Sequence, residues 1–210
     1  RVWRDASADP PFTLANTGWP GALERALRSG YVHPGYTMRL LIIYSTIDGH
    51  TLEICERIAA IVRDAGHEAE LAEVAAVSAA QLDACDRVVI GASIRYGHHR
   101  PAVKAFIDRH QAALEARPNA FFSVNAVGRK PHKRQADTNP YVRKFLAQIR
   151  WKPQQIAIFG GKIEYPRYGF FDRNMIRLIM WITGGPTDPR SVTDFTDWTQ
   201  VEAFARRLVQ

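Results

Sequence analysis

The chain has 210 residues, of which 46% are hydrophobic and 23% charged, so it is predicted to be globular, with one well-cored domain. No apolar run approaches the roughly 20 residues that cross a bilayer, and two cysteines without metal-ligand spacing argue against a disulfide framework. The formal net charge of +7 favours an anionic partner: a nucleic acid, an anionic membrane surface or a small polyanionic substrate.

Residues 1–37 contain many prolines and glycines and no apolar core of the kind found in signal peptides. They are predicted to form a poorly structured N-terminal extension with one short helix around Ala22–Ser29. The folded domain is predicted to span residues 38–210.

The first predicted strand, Arg39–Tyr44, is apolar and is followed by a loop of hydroxyl, Asp and Gly residues. A helix is predicted from Thr51 to Ala65. A loop between a buried strand and a helix N-terminus suits a phosphate, because N–H groups, hydroxyls and the helix dipole converge there. The loop lacks the Gly-Lys-Ser/Thr ending of a P-loop and the Gly-x-Gly-x-x-Gly pattern of a dinucleotide-binding loop. A plain helix cap stays open as the alternative.

Strands and helices alternate along the rest of the chain. Further strands are predicted at Glu68–Val74, Arg87–Ala92, Ala120–Val124 and Ile156–Phe159, and further helices at Ser78–Ala84, Pro101–Arg117, Asn139–Ile149 and Asp197–Val209. This order predicts a three-layer α/β fold with a five-stranded, mostly parallel sheet, resembling that of flavodoxins. Ligands of such sheets lie at the carboxyl ends of the strands, so loops 45–50, 93–100 and 125–134 are expected to share one rim.

The first of these loops resembles the FMN-phosphate loop of flavodoxins, Ser/Thr-x-Thr-Gly-x-Thr. Hydroxyls of Ser45, Thr46 and Thr51 can donate to phosphate oxygens, and Gly49 allows a close approach of the backbone. Asp48 departs from the pattern, because it replaces a donor with a negative charge. The predicted FMN contacts on the three loops are Ser45, Thr46, Ile47, Asp48, Gly49, His50, Thr51, Ala92, Ser93, Ile94, Arg95, Tyr96, Gly97, Ser123, Val124 and Asn125.

The second and third loops carry the remaining candidates. Tyr96 is predicted to stack on the flavin ring, and Tyr96 and His98 are the candidate acid–base groups. The pair His98-His99 has no carboxylate at ligand spacing, so no metal site is predicted, and exposed loop histidines are the alternative. The basic residues of the third loop are either a solvated turn or a partner for substrate carboxylates: Arg129, Lys130, Lys133 and Arg134. They are not interleaved with aromatic residues, which disfavours nucleic acid.

The last predicted strand is interrupted after Ile156–Gly161 and resumes near Ser191–Phe195, with a helical insertion over 163–190. Its helix, 170–183, carries Arg173 and Arg177 on one face and bulky apolar residues elsewhere. It is too short to span a bilayer and has the composition of an interfacial helix facing a membrane or a substrate. An amphipathic helix packed on the core is the alternative.

Several motifs together resemble the bacterial quinone-dependent protoporphyrinogen IX dehydrogenases, the flavodoxin-like protoporphyrinogen oxidases of haem biosynthesis. The resemblance covers residues 38–209 and is carried by Tyr-Ser-Thr-x-Asp-Gly-x-Thr at 44–51, Ile-Gly-Ala-Ser-Ile-Arg-Tyr-Gly at 90–97, Phe-x-Ser-Val-Asn at 121–125, Arg-Lys-Pro at 129–131, Tyr-Pro-Arg-Tyr at 165–168 and Thr-Asp-Trp at 196–198.

The resemblance implies noncovalent FMN, oxidation of protoporphyrinogen IX to protoporphyrin IX, and electron transfer to ubiquinone or menaquinone. It implies a peripheral protein on the cytoplasmic side of the inner membrane, bound through helix 170–183. The two propionates of a porphyrinogen would suit a basic rim that includes Arg95 and Arg129. A flavodoxin-type electron carrier and an FMN-dependent NAD(P)H:quinone reductase are the alternatives, and a homo-oligomer stays open.

Overall fold

The structure is a computed structural model that describes residues 36–210. The predicted helix around Ala22–Ser29 and nearly all of the predicted extension 1–37 lie outside the described residues. Residues Thr37–Val209 form one compact unit. The boundary between extension and domain stays a prediction.

Strands and helices alternate through most of this unit. The strands are β1 Arg39–Ser45, β2 Glu68–Glu73, β3 Arg87–Arg95, β4 His98–His99, β5 Asn119–Asn125, β6 Gln155–Gly160, β7 Lys162–Glu164 and β8 Val192–Asp194. The helices are α1 His50–Asp64, α2 Ala79–Ala84, α3 Pro101–Glu115, α4 Pro140–Leu146, α5 Phe170–Thr183 and α6 Trp198–Leu208. Short 3₁₀ helices follow β5 and β7.

The main sheet has the order β2-β1-β3-β5-β6, and these five strands are parallel. In the central register Ile42 of β1 lies between Leu71 of β2 and Val89 of β3. The short β4 turns back antiparallel to the end of β3. The predicted five-stranded parallel sheet of flavodoxin type is confirmed, and its order reverses between β1 and β3, where such folds bind ligands.

Helices cover both faces of the sheet, as parallel sheets require. Alternate residues of β1 point to opposite faces: Leu40 and Ile42 pack with α1 and α6, and Leu41 and Ile43 pack on the side of α2, α3 and α4. Because both faces are buried, the sheet is a rigid support, and function is confined to its carboxyl rim.

The helix signals in the sequence correspond to real caps. Ser78 and Gln81 form a reciprocal capping box at α2, Asn139 accepts from the backbone N–H groups of Tyr141 and Val142 at α4, and Asp197 accepts from that of Gln200 at α6. The insertion helix α5 has the predicted bounds and ends at Gly184, which has a left-handed φ of 69°.

The end of the sheet differs from the prediction in one respect. Residues near Ser191–Phe195 do not resume the fifth strand of the main sheet; β8 instead pairs antiparallel with β7 in a separate two-stranded ribbon. The chain leaves the sheet after Gly160, and the ribbon forms the base from which the helical insertion projects. Ser191–Phe195 is a short alternating segment, and its pattern does not distinguish a sheet strand from a ribbon strand.

Candidate functional site

The first rim loop joins β1 to α1 and holds two buried hydroxyl groups with no hydrogen-bond partner among the described residues, those of Ser45 and Thr51. Buried hydroxyls are normally satisfied, so such a pair indicates a ligand position. Gly49 precedes the helix with a left-handed φ of 89°, which glycine adopts without strain. The Thr46 hydroxyl accepts from the Gly49 N–H at 3.0 Å and shapes the turn.

This loop fits a phosphate group. The first N–H groups of α1 have no partner within the helix, and the helix dipole favours a negative charge at this end. A phosphate oxygen would accept from the orphaned hydroxyls of Ser45 and Thr51. His50 faces the same cavity, but its ring nitrogens are already engaged, with Glu53 at 2.9 Å and with the Thr196 hydroxyl at 2.6 Å.

The acidic departure in the loop, Asp48, pairs with a residue of the second loop. Both carboxylate oxygens of Asp48 accept from one guanidinium nitrogen of Arg95, at 2.9 and 3.1 Å. A second Arg95 nitrogen donates to Asp172 in the first turn of α5. Burial acts to lower the pKa of Arg95, but its hydrogen bonds and the charges of Asp48 and Asp172 raise it overall. Arg95 thus offsets the negative charge that Asp48 brings close to the phosphate position.

Tyr96, the predicted flavin-stacking residue, has a backbone φ of 51° and is the only non-glycine residue with a positive φ within 36–210. Its side chain is 62% exposed, and its hydroxyl donates to Asp172. The Tyr96 hydroxyl and the Arg95 guanidinium hold the pKa of Asp172 below its usual range. Tyr96 is therefore an aromatic residue at the cavity with a left-handed backbone, and its hydroxyl binds the insertion helix.

The two histidines of the second loop have different environments. His98 is exposed and lies off the cavity wall. His99 is buried, contacts the Ser93 carbonyl at 3.1 Å through Nδ1 and the Ser123 hydroxyl at 3.5 Å through Nε2, and packs edge-on against Phe121 and Phe145. Burial lowers the pKa of His99 to about 4, so the ring is neutral at pH 7 and holds the loop to the sheet.

Asn125, at the end of β5, lines the cavity, but its side chain is already used. Its amide oxygen accepts from the Gly128 N–H at 2.9 Å and from Asn139 at 3.2 Å, and its nitrogen donates to Ser123 at 3.1 Å. The Asn125 side chain therefore shapes the third loop and ties it to α4.

The basic residues of the third loop do not converge on the cavity. Arg129 is on its wall, where it donates to the Ala126 carbonyl and to Thr183 at the end of α5, and burial lowers its pKa. Arg134 instead pairs with Asp197 at 3.1 Å. Lys130 and Lys133 are off the wall, and their ammonium groups have no partner among residues 36–210. Of the four candidate substrate ligands, Arg129 alone lines the cavity, and a role of these residues in binding substrate stays a prediction.

The three loops and α5 enclose a cavity of about 500 Å³, a size typical of cofactor sites. Residues that were predicted from the sequence form one part of its wall: Thr46, Ile47, Asp48, His50, Thr51, Ser93, Ile94, Arg95, Tyr96, Gly97, Val124, Asn125 and Arg129. Other predicted residues lie behind or beside the wall: Ser45, Gly49, Ala92, His98, Ser123, Lys130, Lys133 and Arg134.

The rest of the wall was not predicted. It comes from the third loop, α4, the ribbon and the insertion: Ala126, Val127, Tyr141, Gly161, Lys162, Ile163, Tyr168, Met175, Ile176, Ile179, Met180 and Thr183. The helical spacing of Ile176, Ile179, Met180 and Thr183 was a usable signal for an inward face of α5. Tyr141 had none, since only the tertiary fold brings the start of α4 to Gly97.

The insertion helix directs its arginines inward. Arg173 donates to the Tyr168 carbonyl and Arg177 to the Thr187 carbonyl, so both anchor α5 to its own insertion. The outer face is apolar and exposed: Phe170, Phe171, Leu178, Trp181 and Ile182. Arg173 and Arg177 are half-buried, and apart from Asn174 the exposed residues of α5 are apolar.

Within residues 36–210, no helix is long and apolar enough to cross a membrane. The same residues contain no cluster of three His, Cys, Asp or Glu side chains able to hold a metal ion.

Known proteins resemble this chain in sequence and fold. A family model described as a flavodoxin domain matches residues 41–190. The chain is 47% identical over 171 residues to protoporphyrinogen IX dehydrogenase (quinone) of Escherichia coli strain K12, covering 81% of this chain and 94% of the relative. It is 43% identical over 168 residues to the protein of the same name from Leishmania major, covering 80% and 73%.

Among solved structures, a short-chain flavodoxin associated with a non-canonical PDU bacterial microcompartment matches with a TM-score of 0.50 at 13% identity, covering 82% of this chain and 97% of that one. That likeness supports the fold alone. The family match and the sequence identity over most of both chains go further: this chain belongs to the flavodoxin-domain family of quinone-dependent protoporphyrinogen IX dehydrogenases.

Proposed function

We propose that this chain is an FMN-dependent oxidoreductase that converts protoporphyrinogen IX to protoporphyrin IX and passes the electrons to a quinone. The observation that carries the proposal is the cavity beneath α5, at whose edge, near the start of α1, the hydroxyls of Ser45 and Thr51 have no partner within residues 36–210. The naming of its relatives as protoporphyrinogen IX dehydrogenases (quinone) supports the choice of substrate and acceptor.

The flavodoxin domain indicates a flavin, and the first loop supports FMN in particular. A single strand–loop–helix cradle with Ser45, Thr46 and Thr51 suits one terminal phosphate. FMN, when bound, would supply the redox chemistry between the reduced macrocycle and the quinone. The protein supplies binding, orientation and exclusion of water, the last through the inner face of α5.

Of the cations on the cavity wall, the arginines Arg95 and Arg129 are suited to substrate carboxylates. Both already bind oxygen atoms of the chain itself, so a substrate carboxylate would share or replace those partners. Of the two acid–base candidates, only Tyr96 lines the cavity, and the exposed His98 loses support.

A peripheral position on the cytoplasmic side of the inner membrane is supported by the surface around α5. The outer face of α5 presents Phe171 and Trp181, 86% and 73% exposed. Lys130 and Lys133, whose ammonium groups have no partner among residues 36–210, follow Arg129 in the third loop. The Arg129 guanidinium binds Thr183 at the end of α5. Apolar side chains beside lysines suit the interface of an anionic bilayer, where a quinone is dissolved.

An anaerobic steady-state assay tests the proposal. The purified, FMN-loaded chain is mixed with protoporphyrinogen IX and a soluble ubiquinone or menaquinone analogue, and porphyrin fluorescence is followed. We expect fluorescence to rise above that of a control containing free FMN, and to continue beyond the amount that the bound FMN alone can oxidise only with quinone present. Fluorescence no higher than the control would contradict the proposal. Quinone reduction driven by NAD(P)H would then favour an NAD(P)H:quinone reductase. If neither protoporphyrinogen IX nor NAD(P)H reduced the quinone, a flavodoxin-type electron carrier would be favoured.

A further inference from the structure

The insertion helix α5 contacts the second rim loop at one polar point. Asp172, in the first turn of α5, accepts hydrogen bonds from the Arg95 guanidinium and from the Tyr96 hydroxyl. Arg95 and Tyr96 line the cavity, whereas Asp172 stands behind them. One carboxylate of the insertion therefore holds two neighbouring side chains of the cavity wall.

The side chain of Tyr96 depends on such an anchor. Its backbone lies in the two-residue turn of the β3–β4 hairpin, where Arg95 pairs with His98 and both Tyr96 and Gly97 have a positive φ, so the turn accounts for the left-handed backbone. The ring of Tyr96 is mostly exposed, so packing does not fix its direction. The contacts of the side chain are the hydrogen bond of its hydroxyl to Asp172 and the Arg95 guanidinium, 5.4 Å from its ring centroid. Loss of the Asp172 carboxylate would therefore leave the Tyr96 hydroxyl without the hydrogen bond that directs its ring.

Arg95 is held from two sides. Asp48 of the phosphate loop binds one of its terminal nitrogens, and Asp172 binds the other. Charge-assisted hydrogen bonds of this kind are about twice as strong as neutral ones. The chain of contacts runs from Asp48 through Arg95 to Asp172 and links the phosphate loop to the insertion helix.

We propose that Asp172 is a positioning residue for the cofactor cavity: from α5 it fixes Tyr96 and Arg95 on the wall, so that the insertion completes the cofactor site. It acts through these two residues and does not itself touch the ligand. The inference deepens the proposed function and rests on it only for the identity of the cofactor, FMN.

A double-mutant cycle tests this role in the full-length chain. The variants are D172A, Y96F, the double variant Y96F/D172A and the conservative D172N, with D83A on the exposed surface of α2 as the control. The dissociation constant of FMN is measured by quenching of flavin fluorescence, and the visible absorption of bound FMN reports the environment of its ring. Hydrogen exchange of a peptide covering residues 93–97 in the FMN-free chain reports the loop without any cofactor.

We expect D172A and Y96F each to weaken FMN binding about ten-fold, the value of one hydrogen bond to a charged group. The double variant is expected to bind FMN no more weakly than D172A alone, because D172A already removes the contact that Y96F removes. D172N keeps an acceptor for the Tyr96 hydroxyl and should restore part of the affinity and of the absorption spectrum. Exchange at 93–97 should accelerate in D172A and stay unchanged in D83A.

Additive losses in the double variant, or unchanged FMN affinity and exchange in D172A, would overturn the proposal. If D172A does not fold, the FMN affinity and hydrogen exchange of D172N and Y96F are compared with those of the parent chain in its place. Failure of the protoporphyrinogen assay alone would leave this inference intact, because the exchange measurement requires neither substrate nor cofactor. If the protoporphyrinogen assay gave the expected porphyrin fluorescence while the losses of FMN affinity in the double variant were additive, the inference would be contradicted and the proposed function would stand.

Discussion

Ser45 and Thr51 occupy positions that a folded protein rarely leaves unsatisfied. Both hydroxyls are buried without a partner among residues 36–210, and both adjoin the first turn of α1. Leaving a buried hydroxyl without a hydrogen bond costs about 1–3 kcal/mol. The phosphate loop is therefore preorganised at some cost to stability, which a phosphate ligand would offset.

Removal of these hydroxyls should weaken FMN binding. We expect S45A and T51V each to raise the FMN dissociation constant about ten-fold, because each variant removes a donor to a charged oxygen. Flavin-fluorescence titration measures this constant, and T199V, on the exposed surface of α6, is the control. Unchanged FMN affinity in both variants would show that the phosphate lies elsewhere.

His99 makes stability depend on pH. Its pKa is lowered by burial to about 4 from an ordinary 6.5, so between these values the unfolded chain binds a proton that the folded chain does not. The neutral, buried His99 therefore contributes about 3 kcal/mol to the free energy of unfolding above pH 6.5, relative to acidic conditions. That contribution is lost as the pH falls towards 4.

Urea unfolding of the FMN-free chain at several pH values between 4 and 7 measures this dependence. We expect H99Q to be less stable at pH 7 and to lose less stability on acidification than the parent chain, since glutamine does not titrate. Parallel pH dependences in the two proteins would contradict a buried, neutral His99.

The loop between β1 and α1 could be identified as a candidate phosphate site from the sequence because its residues are contiguous. The role of Asp48 could not, since its partner Arg95 lies 47 positions away and meets it only when β1 and β3 pair. The same applies to Asn125, which could be placed on the rim from its position at a strand end. The path of the third loop brings Gly128 and Asn139 to the Asn125 side chain, which accepts hydrogen bonds from both.

At the scale of secondary structure, α5 has two faces with different surroundings. Its inner face closes the cavity with Ile176, Ile179 and Met180, and its outer face exposes Phe171 and Trp181. Deleting the insertion would remove both surfaces together, so it cannot separate membrane binding from cofactor binding. Substitutions confined to the outer face test membrane binding separately from cofactor binding.

The double variant F171S/W181S should lose membrane binding while it keeps FMN. Each side chain contributes roughly 1.5–3 kcal/mol when fully buried in an apolar phase, so we expect partitioning onto anionic vesicles to fall at least ten-fold. Vesicle sedimentation measures it, and V192S, at an exposed apolar residue of β8, is the matched control. Sedimentation equal to that of the parent chain would refute a docking role for this face.

The bounds of α5 could be predicted from its apolar periodicity and from Gly184. Its orientation could not, because an arginine in a helix pattern suggests a solvated face. Here the carbonyl groups of Tyr168 and Thr187 draw Arg173 and Arg177 inward. Likewise, Ser191–Phe195 has a strand pattern, and only the observed pairing with β7 shows that it leaves the main sheet.

For the whole molecule, the doubly wound sheet determines where chemistry can occur. Apolar strands and capped helices predicted the five-stranded parallel sheet, and the strand order β2-β1-β3-β5-β6 brings three loops to one rim. The net charge of +7 is consistent with an anionic substrate and an anionic surface, and the structure distributes it unevenly. Arg95, Arg129 and Arg134 are bound internally, whereas Lys130 and Lys133 stay available to external anions.

Electron transfer from protoporphyrinogen IX into the flavin site is the central step of the proposed function, and anaerobic mixing of the FMN-loaded chain with this substrate measures it. We expect the visible flavin absorbance to bleach as porphyrin fluorescence appears, and to return when a quinone is added. A flavin that stays oxidised in the presence of protoporphyrinogen IX, while remaining reducible by dithionite, would contradict the proposed function.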